Sequence, residues 1–243
     1  MHVLSLRLRT TPPAAQPAAP RNQSRFPYPR HPAPPTLPSD PEAAGVRGDM
    51  SVLNATLSLA DFYKLRKSDQ AGFAKWRIET LPAGMLLFKL TKGDAPEGQY
   101  GVSPWWSAVK PFKEDDEGAL GRFQQAQLNG ITMSAMVRYM SAVRVDWNDL
   151  DNYVQVQLLV EAKCFWGTFS AQPKWSQPNY NLADIRARKD QERRVSGNAM
   201  LPDVLGVLEA WQIFLPNLKN EHIRRYDIVP AHDMAALAMS LGA

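Results

Sequence analysis

The sequence predicts an α+β protein with a mixed or antiparallel sheet, and three observations carry that prediction. Apolar residues recur at near-helical intervals from Phe123 to Val143. Two other segments, Met85 to Thr91 and Tyr153 to Glu161, have the apolar character of buried strands. These segments lie far apart in the chain, so their sheet is assembled from distant strands, with helices at the front and in the middle.

Taken in order, residues 1–49 hold 11 of the 20 prolines and six Arg with no Lys. An amphipathic targeting helix cannot run through Pro12-Pro13, Pro17 and Pro20, so this part reads as a disordered Pro-rich leader, ahead of a single α+β domain over 50–243. Met50 opens a stretch of globular character and reads as a second, or the true, translation start. Leu59 to Lys67, with Ser58 as N-cap, reads as a short helix, and Ala71 to Arg77 as another. Met85 to Thr91 is a strand. Lys92 to Gln99 is a loop with Gly93, Pro96 and Gly98, and Tyr100 to Val102 is a brief strand before Ser103-Pro104. Gly130 splits the 123–143 region into two helices. The polar turn Asn148 to Asn152 leads into a central strand, Tyr153 to Glu161, and Cys164 to Ser170 continues as an edge segment. Residues 171–200 look irregular around a solvated charged helix, Arg186 to Arg194. Val204 to Leu208 and Ala210 to Leu215 are apolar stretches, and Met234 to Leu241 is a short helix.

Composition excludes several classes of function. The pI of about 9.2 comes mainly from the leader, because residues 50–243 hold 22 basic and 21 acidic residues. A near-neutral fold argues against a nucleic-acid surface. The longest apolar runs fall far short of the ~20 residues of a membrane-spanning helix. With no signal peptide evident, the expected location is the cytoplasm, or delivery as an effector. A lone cysteine, Cys164 in the apolar run Ala162-Lys-Cys-Phe-Trp166, excludes a disulfide framework and reads as an inert buried thiol. His2 and His31 lie in the leader, and His222 and His232 have no matching nucleophile and no His-x-x-x-His spacing, so neither a triad nor a metal site is expected. Phosphate loops of the Gly-x-x-x-x-Gly-Lys and Gly-x-Gly-x-x-Gly types are missing from the sequence.

What remains is Leu86-Leu-Phe-Lys-Leu-Thr91 followed by Val102-Ser-Pro-Trp-Trp-Ser107. Successive side chains of an extended segment face opposite ways, so Trp105 and Trp106 cannot both enter one core, and at least one lines a groove. Indole rings, the hydroxyls of Ser103 and Ser107, and the Lys89 ammonium suit a planar, phosphate-bearing ligand.

Those segments, with Glu209-Ala-Trp-Gln-Ile-Phe-Leu-Pro-Asn-Leu218, resemble the ADP-ribosyltransferase fold of bacterial polymorphic toxin-type domains over about residues 80–220. There, an early strand carries a basic residue after an aromatic, a second carries Ser or Thr beside aromatics, and a late strand supplies Glu or Gln. The resemblance implies an enzyme that consumes NAD, by ADP-ribosyl transfer or by hydrolysis of the nicotinamide bond, as a toxin or effector. It implies Glu209 and Gln212 as catalytic residues, and Lys89, Ser103, Trp105, Trp106 and Ser107 as NAD-binding residues. Its partners would be NAD, a macromolecular acceptor and an immunity protein. Two departures stand out: Lys89 is a point charge where the family has Arg or His, and Glu209 and Gln212 are three apart, so only one can face a cleft. The alternative is a non-enzymatic module whose exposed aromatics bind a protein or peptide; a weaker one is an RNA-associated protein using Arg186 to Arg194 with Trp175 or Tyr180.

Overall fold

The computed structural model describes residues 52–92, 102–177, 181–197 and 199–241. All of them belong to one unit, Arg47–Ala243. The expected leader, most of the loop 92–99 and the brief strand at Tyr100 lie outside the described residues. The chain begins with helices α1 (Leu59–Lys64) and α2 (Lys67–Ala71), then strands β1 (Phe73–Leu81), β2 (Leu86–Thr91) and β3 (Trp105–Ala108). Helices α3 (Gly118–Leu128) and α4 (Met133–Met140) precede β4 (Asn152–Leu158), β5 (Ala162–Phe169) and β6 (Gln172–Pro173). After α5 (Leu182–Ser196) come β7 (Val204–Leu205), β8 (Trp211–Phe214), β9 (Ile223–Arg225), β10 (Val229–Pro230) and α6 (Met234–Leu241).

The fold is α+β, and its main sheet runs β1-β5-β8-β3-β2-β4-β10, with β9 also on β4. Every strand pair in it is antiparallel. The sheet is thus assembled from distant strands, as the sequence predicts. Two local expectations fail. Ala71 to Arg77 is not a helix, because from Phe73 onward it pairs with β5 in a ladder that reaches Leu81. Nor is Cys164 to Ser170 an edge: β5 pairs with β1 on one side and β8 on the other. Nothing in the local pattern carries this, since a strand's neighbours come from elsewhere in the chain.

Register sorts the side chains onto two faces. Leu87, Val156, Trp106, Ile213 and Trp166 share one buried cluster. On the opposite face Phe88 and Tyr153 pack with residues of α3, α4 and α6, and Trp105 joins Phe73, Phe165 and Phe214 beside α1. The adjacent tryptophans thus enter different cores, as alternation requires. Cys164 is fully buried, and burial pushes its thiol pKa up, which keeps it protonated and unreactive.

One close approach fixes the β1–β5 register. The β1 ladder is irregular between Phe73 and Lys75, and an added Cβ on Gly167 would lie 1.9 Å from the Lys75 carbonyl oxygen. Only glycine fits beside that bulge, opposite Trp76. Gly167→Ala is expected to lower the urea midpoint by more than the ~1–3 kcal/mol equivalent of ordinary overpacking, since backbone must move.

Beside it, the Glu114 carboxylate accepts hydrogen bonds from Arg77 Nη2 (2.9 Å) and from Nε1 of the buried Trp166 (3.1 Å). The Arg77 bond first, then the Trp166 bond, lowers its pKa from 4.5 to about 2. A lowered folded-state value means that this contribution is full above pH 4.5 and is lost as pH falls through about 2. Urea midpoints measured across that interval should fall less steeply for Glu114→Gln than for the parent.

Candidate functional site

The site begins where two strands part. The β2–β3 pairing covers Leu87 with Ala108 and Phe88 with Ser107. Past this point Lys89, Leu90 and Thr91 stay on β4, opposite Val154, Tyr153 and Asn152. Trp105 and Trp106 stay on β8, opposite Phe214 and Ile213. Each strand keeps its outer partner while the inner pairing lapses, so the sheet divides. A cavity of about 650 Å³ opens there, lined by Lys89, Ser103, Trp105, Trp106, Ser107 and Gln212 among others. Phe88, Ser107, Trp105 and Gln212 belong to one face of the sheet and Lys89 and Trp106 to the other. A cavity can reach both faces because the strands have separated. Its volume falls within the ~300–1,000 Å³ usual for small-molecule sites.

Six of the seven residues expected from sequence therefore meet. Glu209 does not. It lies in the loop before β8, its exposed carboxylate 3.0 Å from the exposed Lys75 ammonium, because the strand begins only at Trp211. Gln212 faces the cavity in its place. Its side chain is 1% exposed, and its Nε2 donates to the carbonyl of Gly72 at 2.8 Å. That donation leaves the amide oxygen as the group Gln212 can offer a ligand, and it explains the residue type: a glutamate here would set a carboxylate against a carbonyl.

Ser103 acts on its neighbours. Its carbonyl accepts from Trp106 Nε1 at 2.7 Å, and its hydroxyl accepts from the Trp105 backbone N–H at 3.2 Å. Trp106 is 2% exposed, with the Lys89 Nζ 4.9 Å from its ring centroid. Trp106 thus forms a wall of the cavity and a seat for the cation. Trp105 is half-buried, packed against Phe73 and Phe214 with its ring tip over Gly72.

The facing wall was not anticipated. It is the segment between α4 and β4, from which Ala142, Arg144, Trp147, Asn148 and Leu150 line the cavity. Arg138, fully buried, holds it: Nη1 donates to the carbonyls of Val143 and Arg144, and Nη2 to those of Asn148 and Asp149. Burial lowers the Arg138 pKa to about 10, against the opposing pull of Asp149, Asp146 and Asp151. It is a cation at neutral pH. Ala142 (φ 53°) and Leu150 (φ 59°) bracket the segment in left-handed conformations that cost roughly 1–2 kcal/mol each. The Arg138 bonds hold that strain in place. Arg144 lays its guanidinium on the Trp147 ring, Cζ 4.6 Å from the centroid, and donates to Gln172 Oε1 at 2.6 Å. The sequence signal for this pair was Arg and Trp three apart beside a polar turn, which is weak.

Among the described residues, one carboxylate-bearing residue lines the cavity, Asp69, whose oxygens accept from Arg66 Nε (2.8 Å) and Nη2 (3.1 Å). No group of three His, Cys, Asp or Glu among them is placed to hold a metal ion. No helix among them is long and apolar enough to cross a membrane. The cavity can thus offer cations, hydroxyls, an amide oxygen and indole surface to an anionic ligand with flat rings.

No protein-family model matches the sequence, and no curated protein or solved structure matches it either. What the fold and the cavity define is a class: an antiparallel α+β protein with a ligand-sized cavity where its sheet divides.

The Arg138 network is directly testable. Arg138→Leu strips four carbonyls of their donors and should destabilise the protein by roughly 3 kcal/mol or more in urea denaturation. Hydrogen exchange of residues 143–150 should accelerate with it.

Proposed function

We propose that the cavity binds NAD and that the protein is an NAD-consuming enzyme, transferring ADP-ribose or hydrolysing the nicotinamide bond. One observation carries the reading. Lys89, Ser103, Trp105, Trp106, Ser107 and Gln212, singled out as a nucleotide site from three distant segments, line a single cavity. Its chemistry agrees: cations for phosphates, half-buried Trp105 for a ring, and polar groups for ribose hydroxyls.

In this reading the C–N bond between ribose and nicotinamide breaks, and its electron pair leaves with the pyridine nitrogen. The ribose carbon becomes an oxocarbenium ion, captured by water or by an acceptor nucleophile on the opposite side. The Gln212 amide oxygen supplies partial negative charge near that carbon and accepts a ribose hydroxyl. It is oriented beforehand by the Gly72 bond. Ser107, buried on β3, supplies a hydroxyl to the same region. The acceptor is a macromolecule in the transferase case. As an effector, the protein would be held inactive in the producing cell by an immunity protein covering the cavity mouth.

The test is incubation of the full chain with NAD while free nicotinamide is quantified. Release is expected, with Gln212→Ala lowering its rate about 10²-fold. Lys89→Ala, which leaves the Gly72 bond intact, should raise KM. If the folded parent neither binds nor cleaves NAD at millimolar concentration, the reading is wrong.

A further inference from the structure

The wall after α4 carries a cation whose setting differs from that of the ion-paired cations in this fold. Lys174 is matched by Glu192 and Asp203, Arg77 by Glu79 and Glu114, and Arg122 by Asp115. Arg144 has no such acid among the described residues. Its partners there are the Gln172 amide oxygen and the Trp147 ring, both neutral. Its Nε is buried without a hydrogen-bond partner among them. A half-buried guanidinium without a counter-charge among the described residues gains from an anion brought into the cavity.

The geometry is prepared for one. Trp147 fixes the plane of the guanidinium and Gln172 fixes its rotation within that plane. The carbonyl of Arg144 itself is held at 2.7 Å by Arg138 Nη1, so the backbone beneath it is anchored too. A planar fork, locked in orientation, suits two oxygens of a phosphate better than a freely moving ammonium does. In the same cavity, Lys89 stands over Trp106. The cavity thus holds two cations, one from β2 and one from the 143–150 segment, each seated on an indole.

We propose that Arg144 and Lys89 form a clamp for a diphosphate, with Arg144 as its oriented half, so that the cavity selects nucleotides bridged through two phosphates over nucleoside monophosphates. The proposal rests on the nucleotide reading above and adds to it the class of ligand and the residue that discriminates it. It also answers the departure at Lys89. The planar grip that a lysine on β2 cannot provide comes from another segment.

Binding to the full chain, followed by tryptophan fluorescence, separates the two claims. The ligands are ADP-ribose, ADP, AMP and adenosine, and the proteins are the parent, Arg144→Gln and Arg144→Lys. ADP-ribose and ADP should bind the parent about tenfold more tightly than AMP. Both variants should lose about tenfold or more for the two diphosphates while adenosine affinity is unchanged. Circular dichroism melts establish that the variants are folded; if Arg144→Gln is not, Arg144→Lys decides, since it keeps the charge and removes the fork. Diphosphate affinity retained in the folded variant, or AMP binding the parent as tightly as ADP, overturns the clamp and leaves the nucleotide site standing. Failure of the folded parent to bind any of the four overturns both.

Discussion

Strand β3 is four residues long, and the architecture of the site hangs on how it divides its hydrogen bonds. Its C-terminal half, Ser107 and Ala108, pairs with β2. Its N-terminal half, Trp105 and Trp106, pairs with β8. A strand paired over its full length on both sides would close the sheet, and the staggered pairing instead joins two half-sheets at a short overlap. Beyond the overlap the backbones no longer pair: Lys89 stays with β4 and the two tryptophans with β8, while the Lys89 side chain still reaches the Trp106 ring. Because a sheet twists, partners that cease to bond diverge quickly along their length. The cavity is the space this divergence leaves.

A gap in a sheet exposes backbone and apolar surface, so it needs a wall. That wall is the segment after α4, and it stands because one buried cation satisfies four of its carbonyls. The arrangement spends conformational strain at Ala142 and Leu150 to bring Arg144 and Trp147 to the cavity. Backbone held in sparsely populated conformations by an over-determined network is a recurrent property of functional sites. Here the strain and the carbonyls of the network fall within one segment, 142–150, which lines the same cavity as the residues singled out from sequence. The two sides of the cavity arise from different parts of the chain by different means, one by strand register and the other by side-chain capping of a loop.

Gln212 shows how packing chooses between chemically similar residues. As the amide it donates to the Gly72 carbonyl while lining the cavity. In the proposed reaction a carboxylate would carry more charge toward the developing cation, but it has no proton for the Gly72 carbonyl. Electrostatic stabilisation and structural hydrogen bonding thus compete at one side chain. Glu209, free of that conflict, lies on the surface with Lys75.

By itself the sequence determined the α+β class, the helices on either side of Gly130, the opposite destinations of Trp105 and Trp106, and the residue types of the strand-borne wall. These follow from periodicity, alternation and turn chemistry, which act over a few residues. Tertiary structure alone decided that Phe73 to Arg77 becomes a strand rather than a helix, that β5 is interior, that Trp106 is a seat for Lys89, and that Gln212 rather than Glu209 lines the cavity. It alone brought Arg144 and Trp147 to the site. Each of those outcomes depends on a partner more than fifteen residues away or on a loop shaped by a buried arginine, and no local pattern encodes which distant segment a strand will meet.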